Sequence, residues 1–151
     1  MTVARDMVNA EDLPRILDEA WMLSEHCRYV VVVPKAVPLA LELNTLIPAD
    51  FLLGYSVPTR HGRTTLSPDA FRRPVHLLGG RPDVQRRLAD QMQVVSLDCN
   101  RFTLDAAFGD YFDGQTFRPH PTGGYLRCIT DSLRHINKLW TSYERAGEQG
   151  K

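Results

Sequence analysis

The sequence has few cysteines, no long hydrophobic run and no net charge, and each absence excludes a class of protein. Its three cysteines, Cys27, Cys99 and Cys128, are an odd number at spacings that match no zinc-binding pattern, so we expect neither disulfides nor structural zinc. The longest apolar run, from Tyr29 to Val33, is far too short to span a bilayer. Eighteen basic residues balance eighteen acidic ones, so no bulk attraction to nucleic acid or anionic lipid is predicted.

Other absences concern targeting, cofactors and size. The N-terminal residues lack the apolar core of a signal peptide, so we expect a cytoplasmic protein, in the host cytoplasm if the source is viral. No GxGxxG motif and no P-loop is present, so we expect no nucleotide cofactor, and we expect no metal either. The length of 151 residues predicts a single domain over 1–151. A complete eight-stranded barrel needs at least about 200 residues, so this chain could hold only part of one.

The apolar residues that are present alternate between helical and strand spacing. Leu13 to Ser24 show helical periodicity, with Asp12 placed to cap the helix. The β-branched run from Tyr29 to Val33 is typical of a strand buried on both faces of a parallel sheet. The other predicted elements are a short helix at 37–43, strands at 51–56, 74–78 and 94–97, a helix at 82–92 and a closing helix at 125–143.

This alternation predicts an α/β fold with about four parallel strands. We expect a partial (β/α) TIM-like barrel over 29–108 with flanking helices, and a flavodoxin-like open sheet is the alternative. The segment 110–145 is predicted to hold an ordered loop, over 110–124, and then the closing helix. A partial barrel has two open sheet edges, so we expect a homodimer or a partner chain that completes the barrel.

Ligands of parallel α/β sheets bind beyond the carboxyl ends of the strands, and several chemically useful residues fall there. Glycines let a flat ligand approach the backbone, while Asp98 supplies a carboxylate and shares a strand face with Ser96. Two alternatives stay open: the segment 98–100 could cap the following helix, and 79–82 could be an ordinary strand-to-helix turn instead of a phosphate-binding one. The candidate ligand-binding residues at the strand ends are Gly54, Tyr55, Ser56, His76, Gly79, Gly80 and Asn100.

The closing helix carries basic residues at spacings that keep them on one side. Arg127, Arg134 and Lys138 are separated by seven and four residues, and Asp131 lies among them. This side is either a docking surface for the phosphate backbone of DNA or an ordinary solvated helix face.

Three motifs together resemble the tRNA-guanine transglycosylase superfamily. The run Pro74-Val-His-Leu-Leu-Gly-Gly-Arg-Pro82, followed by Val94-Val-Ser-Leu-Asp-Cys-Asn100, is similar to the last βαβ unit of that family, where a strand ends in Asp-Cys. Phe51-Leu-Leu-Gly-Tyr-Ser-Val57 is similar to the family strand whose glycines lie against the base. The match is closest to small viral and phage relatives that insert a 7-deazaguanine into DNA.

The resemblance implies a glycosyltransferase that exchanges a guanine-type base of DNA through a covalent intermediate on Asp98. It covers 29–108 only. Nothing matches the N-terminal half of the family barrel or its Cys/His zinc site, and Gly54-Tyr55 stands where the family has two glycines. The general acid is unassigned, with His61, His76 and Asp69 as candidates. The alternatives are a non-catalytic nucleoside- or nucleic-acid-binding accessory module and a structural protein.

Overall fold

A five-stranded parallel β-sheet forms the centre of the molecule. The structure is a computed structural model and describes residues 1–35, 42–59, 64–141 and 143. The prediction of an α/β fold with a parallel sheet flanked by helices is confirmed, with one strand more than expected. The strands are β1 (Thr2–Val3), β2 (Val30–Val32), β3 (Leu52–Ser56), β4 (Val75–Leu78) and β5 (Val94–Leu97).

The strands lie in the sheet in the same order as in the sequence, β1-β2-β3-β4-β5, and every neighbouring pair is parallel. A flavodoxin-like sheet has the order 2-1-3-4-5, in which the winding reverses, and this sheet has no such reversal. All three valines of β2 are buried, as the β-branched run predicts for a strand covered on both faces. The carboxyl ends of the strands therefore meet along one edge.

Helices cover the sheet. The described helices are α1 (Leu13–Ser24), α2 (Leu43–Leu46), α3 (Pro82–Leu88), α4 (Arg101–Ala106) and α5 (Tyr125–Thr141). None of the helices in these ranges is long and apolar enough to cross a bilayer.

Helix α1 has the predicted bounds, but its predicted cap is wrong. Asp12 makes no capping hydrogen bond, because its carboxylate accepts one from Arg15 at 3.0 Å instead. On the sheet side, Trp21 packs edge to face against Phe51, with ring centroids 4.7 Å apart. Helix α3 ends four residues earlier than predicted, at Leu88. Most of the short helix predicted at 37–43 falls on 36–41, outside the described residues.

The predicted loop at 110–124 is wrong over its first ten residues, because they contain a two-stranded antiparallel hairpin. Its strands are β6 (Asp110–Phe112) and β7 (Phe117–Pro119). The Asp113 carboxylate accepts hydrogen bonds at 2.8 Å from the amides of Gln115 and Thr116 and so closes the turn. An Asp-Gly pair between aromatic residues is a hairpin signal that accounts for this structure.

Helix α5 buries Cys128, Ser132 and Ile136, whereas Tyr125 and Leu133 are exposed. The Ser132 hydroxyl accepts a hydrogen bond from the Phe112 amide at 2.9 Å, which joins the buried face of the helix to the hairpin.

One arginine fixes the connection that leads into β3. The half-buried guanidinium of Arg73 donates hydrogen bonds to the main-chain oxygens of Asn44, Ile47, Pro48 and Phe51, at 2.5 to 3.3 Å. Four carbonyl groups, from Asn44 in α2 to Phe51 just before β3, thus share one cation, which holds this connection together.

Candidate active site at the ends of β4 and β5

Asp98 lies at the carboxyl end of β5, against the first residue after β4. Its amide donates to the Leu77 oxygen at 3.0 Å, which continues the sheet ladder by one residue. Its carboxylate Oδ1 accepts a hydrogen bond from the Gly79 amide at 2.5 Å. The side chain is still 59% exposed, so the carboxylate is fixed in position and open to solvent at once.

His76 lies beneath this carboxylate. Its Nε2 is 3.7 Å from Asp98 Oδ2, and its Nδ1 is 2.8 Å from the Ser96 hydroxyl oxygen. The register explains the cluster: His76 pairs with Ser96 across the sheet, and Asp98 lies two residues further along the same face. Burial lowers the pKa of His76, and the nearby negative charge of Asp98 opposes that shift. The ring is therefore neutral at physiological pH.

The Gly79-Gly80 pair has a backbone that other residues adopt only with strain. Both residues have positive φ, 63° at Gly79 and 84° at Gly80. A Cβ atom on Gly80 would collide with the side chain of Val57, whereas a Cβ on Gly79 would meet nothing within 4 Å. The space beside Asp98 is therefore open at Gly79, and a ligand can reach the backbone there.

A buried glutamine joins the two strand ends. Gln85 of α3 is fully buried, and its Nε2 donates to the main-chain oxygens of Gly79 at 2.8 Å and Asp98 at 2.5 Å. Sequence reasoning missed this residue. The available signal in the sequence is the spacing of three residues from Pro82 to Gln85 and from Gln85 to Leu88, which places Gln85 on the buried face of α3.

Cys99 also links the ends of β4 and β5, but its thiol is not suited to act as a nucleophile. Its thiol donates to the Gly80 main-chain oxygen at 3.3 Å. Burial raises the pKa of the Cys99 thiol, although the amides of Arg101 and Phe102 oppose the shift, so the thiolate needed for attack is disfavoured.

The capping alternative for the segment 98–100 does not describe this structure. Asp98 bonds to Gly79, and the residue at the N-cap of α4 is Asn100, whose side chain makes no capping hydrogen bond. Asn100 is exposed, two residues from Asp98.

Two of the residues that the sequence assigned to the site lie elsewhere. Tyr55 pairs with Leu77 on the opposite face of the sheet from His76; it is buried against Phe71, and its hydroxyl lies 3.5 Å from the Leu66 oxygen. Gly54 is on the His76 face, but three aliphatic side chains fill the space above it. A Cβ there would lie 2.7 to 2.8 Å from atoms of Val31, Val33 and Leu78.

The remaining assigned residues are scattered. Ser56 is half-buried and pairs with Leu78, near the end of β3. Asp69 is exposed in a 3₁₀ turn (Pro68–Ala70), where its carboxylate lies 3.5 Å from the Ser67 hydroxyl. His61 lies outside the described residues. Among the residues that are described, no three His, Cys, Asp or Glu side chains form a group that could hold a metal ion.

The basic side of α5 is exposed, as predicted for Arg127, Arg134 and Lys138. Arg134 contacts the Asp131 carboxylate at 2.6 Å, and the other oxygen of that carboxylate lies 2.9 Å from His120 Nε2. The hydrogen bond from His120 is the main cause that holds the pKa of Asp131 below its usual range. Part of the positive charge on this side is thus already paired.

In chemical terms, the site presents one anchored carboxylate with a free oxygen. Asp98 Oδ1 is held by Gly79, whereas 3.7 Å separates Oδ2 from His76, which is too long for a normal hydrogen bond. Such a carboxylate can stabilise or attack an electron-deficient carbon.

Comparison with known proteins gives one family. No curated protein and no solved structure matches the chain. Residues 1–141, which include every strand of the sheet and all of the site, match DUF6610, described as a family of unknown function. The chain is therefore a member of the DUF6610 family.

Proposed function

We propose that the protein is a transglycosylase that exchanges a guanine-type base for a 7-deazaguanine at a nucleoside of DNA. The observation that carries the proposal is the Asp98 carboxylate, exposed at the carboxyl edge of the sheet and anchored through one oxygen by Gly79. The motifs around it, Leu78-Gly79 and Asp98-Cys99, are those that resemble the transglycosylase superfamily.

In the first step, Asp98 attacks C1′ of the guanine nucleoside. A bond forms between a carboxylate oxygen and C1′, the bond from C1′ to the base nitrogen breaks, and its electron pair leaves with the base, which takes up a proton. The transition state carries positive charge on the sugar, which a carboxylate stabilises, as in retaining glycosidases. The incoming 7-deazaguanine then loses a proton, bonds to C1′ and displaces Asp98 unchanged.

The surroundings of Asp98 suit this role. The Gly79 amide orients the carboxylate, and neutral His76, held by Ser96, lies under Oδ2 without forming an ion pair with it. The open space at Gly79 is next to the carboxylate, which leaves room for a flat base against the backbone. His76 is too deeply buried to reach a departing base, so it is a positioning residue in this proposal.

The proposal also includes the partial barrel. Sequential strand order without reversal is the order of a (β/α) barrel. Side chains of Val31, Val33 and Leu78 fill the space above Gly54, and the inner face of a small barrel is likewise filled by side chains. Five strands leave the barrel incomplete, so a second copy or another chain would close it.

The test is incorporation of a radiolabelled 7-deazaguanine into guanine-containing DNA. The wild type should incorporate label, and Asp98→Asn should reduce incorporation at least a thousandfold while its unfolding curve stays unchanged. Asp90→Asn is the matched control: Asp90 is similarly exposed and contacts Arg86 on α3, so its variant should exchange at the wild-type rate. Without an acceptor base, mass spectrometry should detect a DNA adduct on Asp98. No incorporation by the wild type, or full incorporation by Asp98→Asn, contradicts the proposal.

One observation favours a second candidate, a nucleic-acid-binding module without catalysis. The strand that resembles the family's base-contacting strand has its glycine covered by aliphatic side chains and its Tyr55 turned to the other face. In that case the wild type should bind DNA with a steep dependence on salt and incorporate no label.

A further inference from the structure

A pair of arginines flanks Asp98 around a single aromatic ring. The guanidinium carbon of Arg81 lies 5.9 Å from the centroid of Phe117, and that of Arg101 lies 6.0 Å from it. Both cations are within the distance at which an aromatic ring attracts a cation. Phe117 of the hairpin therefore brings together two arginines that the sequence places twenty residues apart.

Both arginines are anchored in the same way. Arg81 Nε is 2.9 Å from Asp83, and Arg101 Nε is 2.7 Å from Asp105. The two carboxylates are largely buried, whereas about half of each arginine side chain is exposed. The two aspartates contact the arginines through Nε and not through the terminal nitrogens. Arg81 Nη2 donates a hydrogen bond to Thr116 Oγ1 at 3.3 Å.

The pair lies on the rim of the candidate site. Arg81 follows Gly80 directly, and Arg101 comes three residues after Asp98. The hydrogen bond from Cys99 to the Gly80 oxygen holds these two segments together. Asp83 also lies 3.2 Å from Arg87, so its single negative charge is shared between Arg81 and Arg87.

We propose that Arg81 and Arg101 bind the phosphodiester groups on either side of the nucleoside that Asp98 attacks. The substrate is then a nucleotide within a DNA strand and not a free nucleoside. In a strand, each sugar is flanked by two phosphates, and guanidinium groups bind phosphate through paired donors. The identity of the nucleoside rests on the proposed function, but the phosphate-binding pair can be tested without any exchange.

The experiment measures fluorescence anisotropy of a guanine-containing single-stranded oligonucleotide, titrated at several salt concentrations with the whole Asp98→Asn protein, which cannot form the covalent adduct. Adding Arg81→Gln and Arg101→Gln to it should weaken binding at least tenfold at low salt. The slope of log affinity against log salt should become shallower by about 1.4, because each lost phosphate contact accounts for about 0.7 in single strands. Arg15→Gln, added in the same way, is the matched control, because Arg15 is similarly exposed and likewise contacts an aspartate on its own segment. It should leave binding unchanged.

Two further arms identify the source of the phosphate. The monophosphate dGMP and free deoxyguanosine compete with the oligonucleotide, and we expect both to compete at least a hundredfold more weakly than unlabelled strand. Competition by dGMP as strong as that by the strand contradicts a strand substrate. An unchanged salt slope after both arginines are replaced, in a protein whose circular dichroism and thermal unfolding match those of Asp98→Asn, also overturns the proposal. Asp98→Asn should keep full binding, so a loss of exchange with retained binding separates the failure of the chemistry from the failure of the phosphate site.

Discussion

The side-chain nitrogen of Gln85 lies 2.5 Å from the main-chain oxygen of Asp98 and 2.8 Å from that of Gly79. The same two residues are joined on their other side by the hydrogen bond from the Gly79 amide to the Asp98 carboxylate. Gly79 and Asp98, at the ends of β4 and β5, are thus bound together twice, once through the buried amide of Gln85 and once through the carboxylate to which we assign the chemistry.

Replacing this glutamine should destabilise the fold. Gln85→Leu leaves two main-chain oxygens without their donor, at a cost of about 1–3 kcal/mol in the free energy of unfolding. Gln85→Glu should cost more, because a carboxylate would face the same two oxygens. Urea denaturation measures both. Gln91→Leu, at an exposed glutamine near the end of α3, is the control and should change stability by less than about 0.5 kcal/mol. Equal stability of Gln85→Leu and Gln91→Leu would contradict the assignment.

Replacing Arg73 by lysine should destabilise the protein. An ammonium group cannot reach four carbonyl oxygens that a planar guanidinium spans, so Arg73→Lys should lower the free energy of unfolding by about 2–3 kcal/mol. The neighbouring Arg72 is exposed, and Arg72→Lys should leave the urea midpoint unchanged. If the two variants have the same midpoint, the carbonyl contacts of Arg73 do not stabilise the connection.

The lowered pKa of His76 should make stability depend on pH in a defined window. A histidine whose pKa is lower in the folded state than its ordinary value of 6.5 binds protons more readily when unfolded, so stability rises with pH. We therefore expect the free energy of unfolding to fall as the pH is lowered from about 7 to about 5. His76→Gln should lose part of this dependence, whereas His26→Gln, at an exposed position, should keep it. Parallel pH profiles for the wild type and His76→Gln would be the contrary result.

The open edge of β1 predicts self-association. The amides of Thr2 and Ala4 donate to the main-chain oxygens of Tyr29 and Val31, so the amide and carbonyl of Val3 point away from the sheet. Val3 is 39% exposed. The opposite edge is partly covered, because the Tyr143 hydroxyl bonds to the amide and carbonyl of Val94. We expect sedimentation of a dimer, twice 17.1 kDa, at micromolar concentration.

A lysine in β1 distinguishes pairing between sheet edges from nonspecific association through exposed apolar side chains. Val3→Lys should sediment as a monomer, because a charge on an edge strand opposes strand pairing. Val8→Lys removes another exposed valine away from the paired residues and should remain dimeric. A monomeric wild type excludes edge pairing between copies.

We still predict that the basic side of α5 makes a second, weaker contact with the phosphate backbone of DNA. Arg134 contacts Asp131 through a terminal nitrogen, Nη1, whereas Arg81 and Arg101 contact their aspartates through Nε. The double variant Arg134→Ala, Lys138→Ala should therefore flatten the salt slope of DNA binding by about one contact, not two. The loss should be equal for all DNA sequences, since phosphate contacts carry no sequence information. An unchanged slope identifies this side as an ordinary solvated helix face.

Helices and strands with long apolar patterns were predicted well, whereas strands of two or three residues were missed. Helix α1 and strands β2 to β5 follow from runs whose periodicity extends over several residues. Strand β1 has two residues, too few to show any alternation. The three-residue strands of the hairpin were missed because their turn formers indicated a loop, although the Asp113-Gly114 pair was a usable signal.

The site was predictable where it depends on strand register and not where it depends on tertiary contacts. Alternation along β5 placed Asp98 and Ser96 on one face, and the structure adds His76 to that face through its pairing with Ser96. Tyr55 was assigned to the site because it is near a strand end, but alternation places it on the opposite face. Gln85 and Arg73 donate hydrogen bonds to main-chain oxygens of residues that are distant in the sequence, and such partners cannot be predicted from the local sequence pattern.

The strand order also determines how the chain can fold while it is being synthesised. Each strand of the sheet pairs with the strand that precedes it in the sequence, so a nascent chain can add β2 to β5 one at a time as they leave the ribosome. The two halves of the candidate site, Gly79 and Asp98, are translated only nineteen residues apart, with Gln85 between them. Tyr143 is the last of these residues to be synthesised, so the β5 edge of the growing sheet stays unpaired until this tyrosine has left the ribosome.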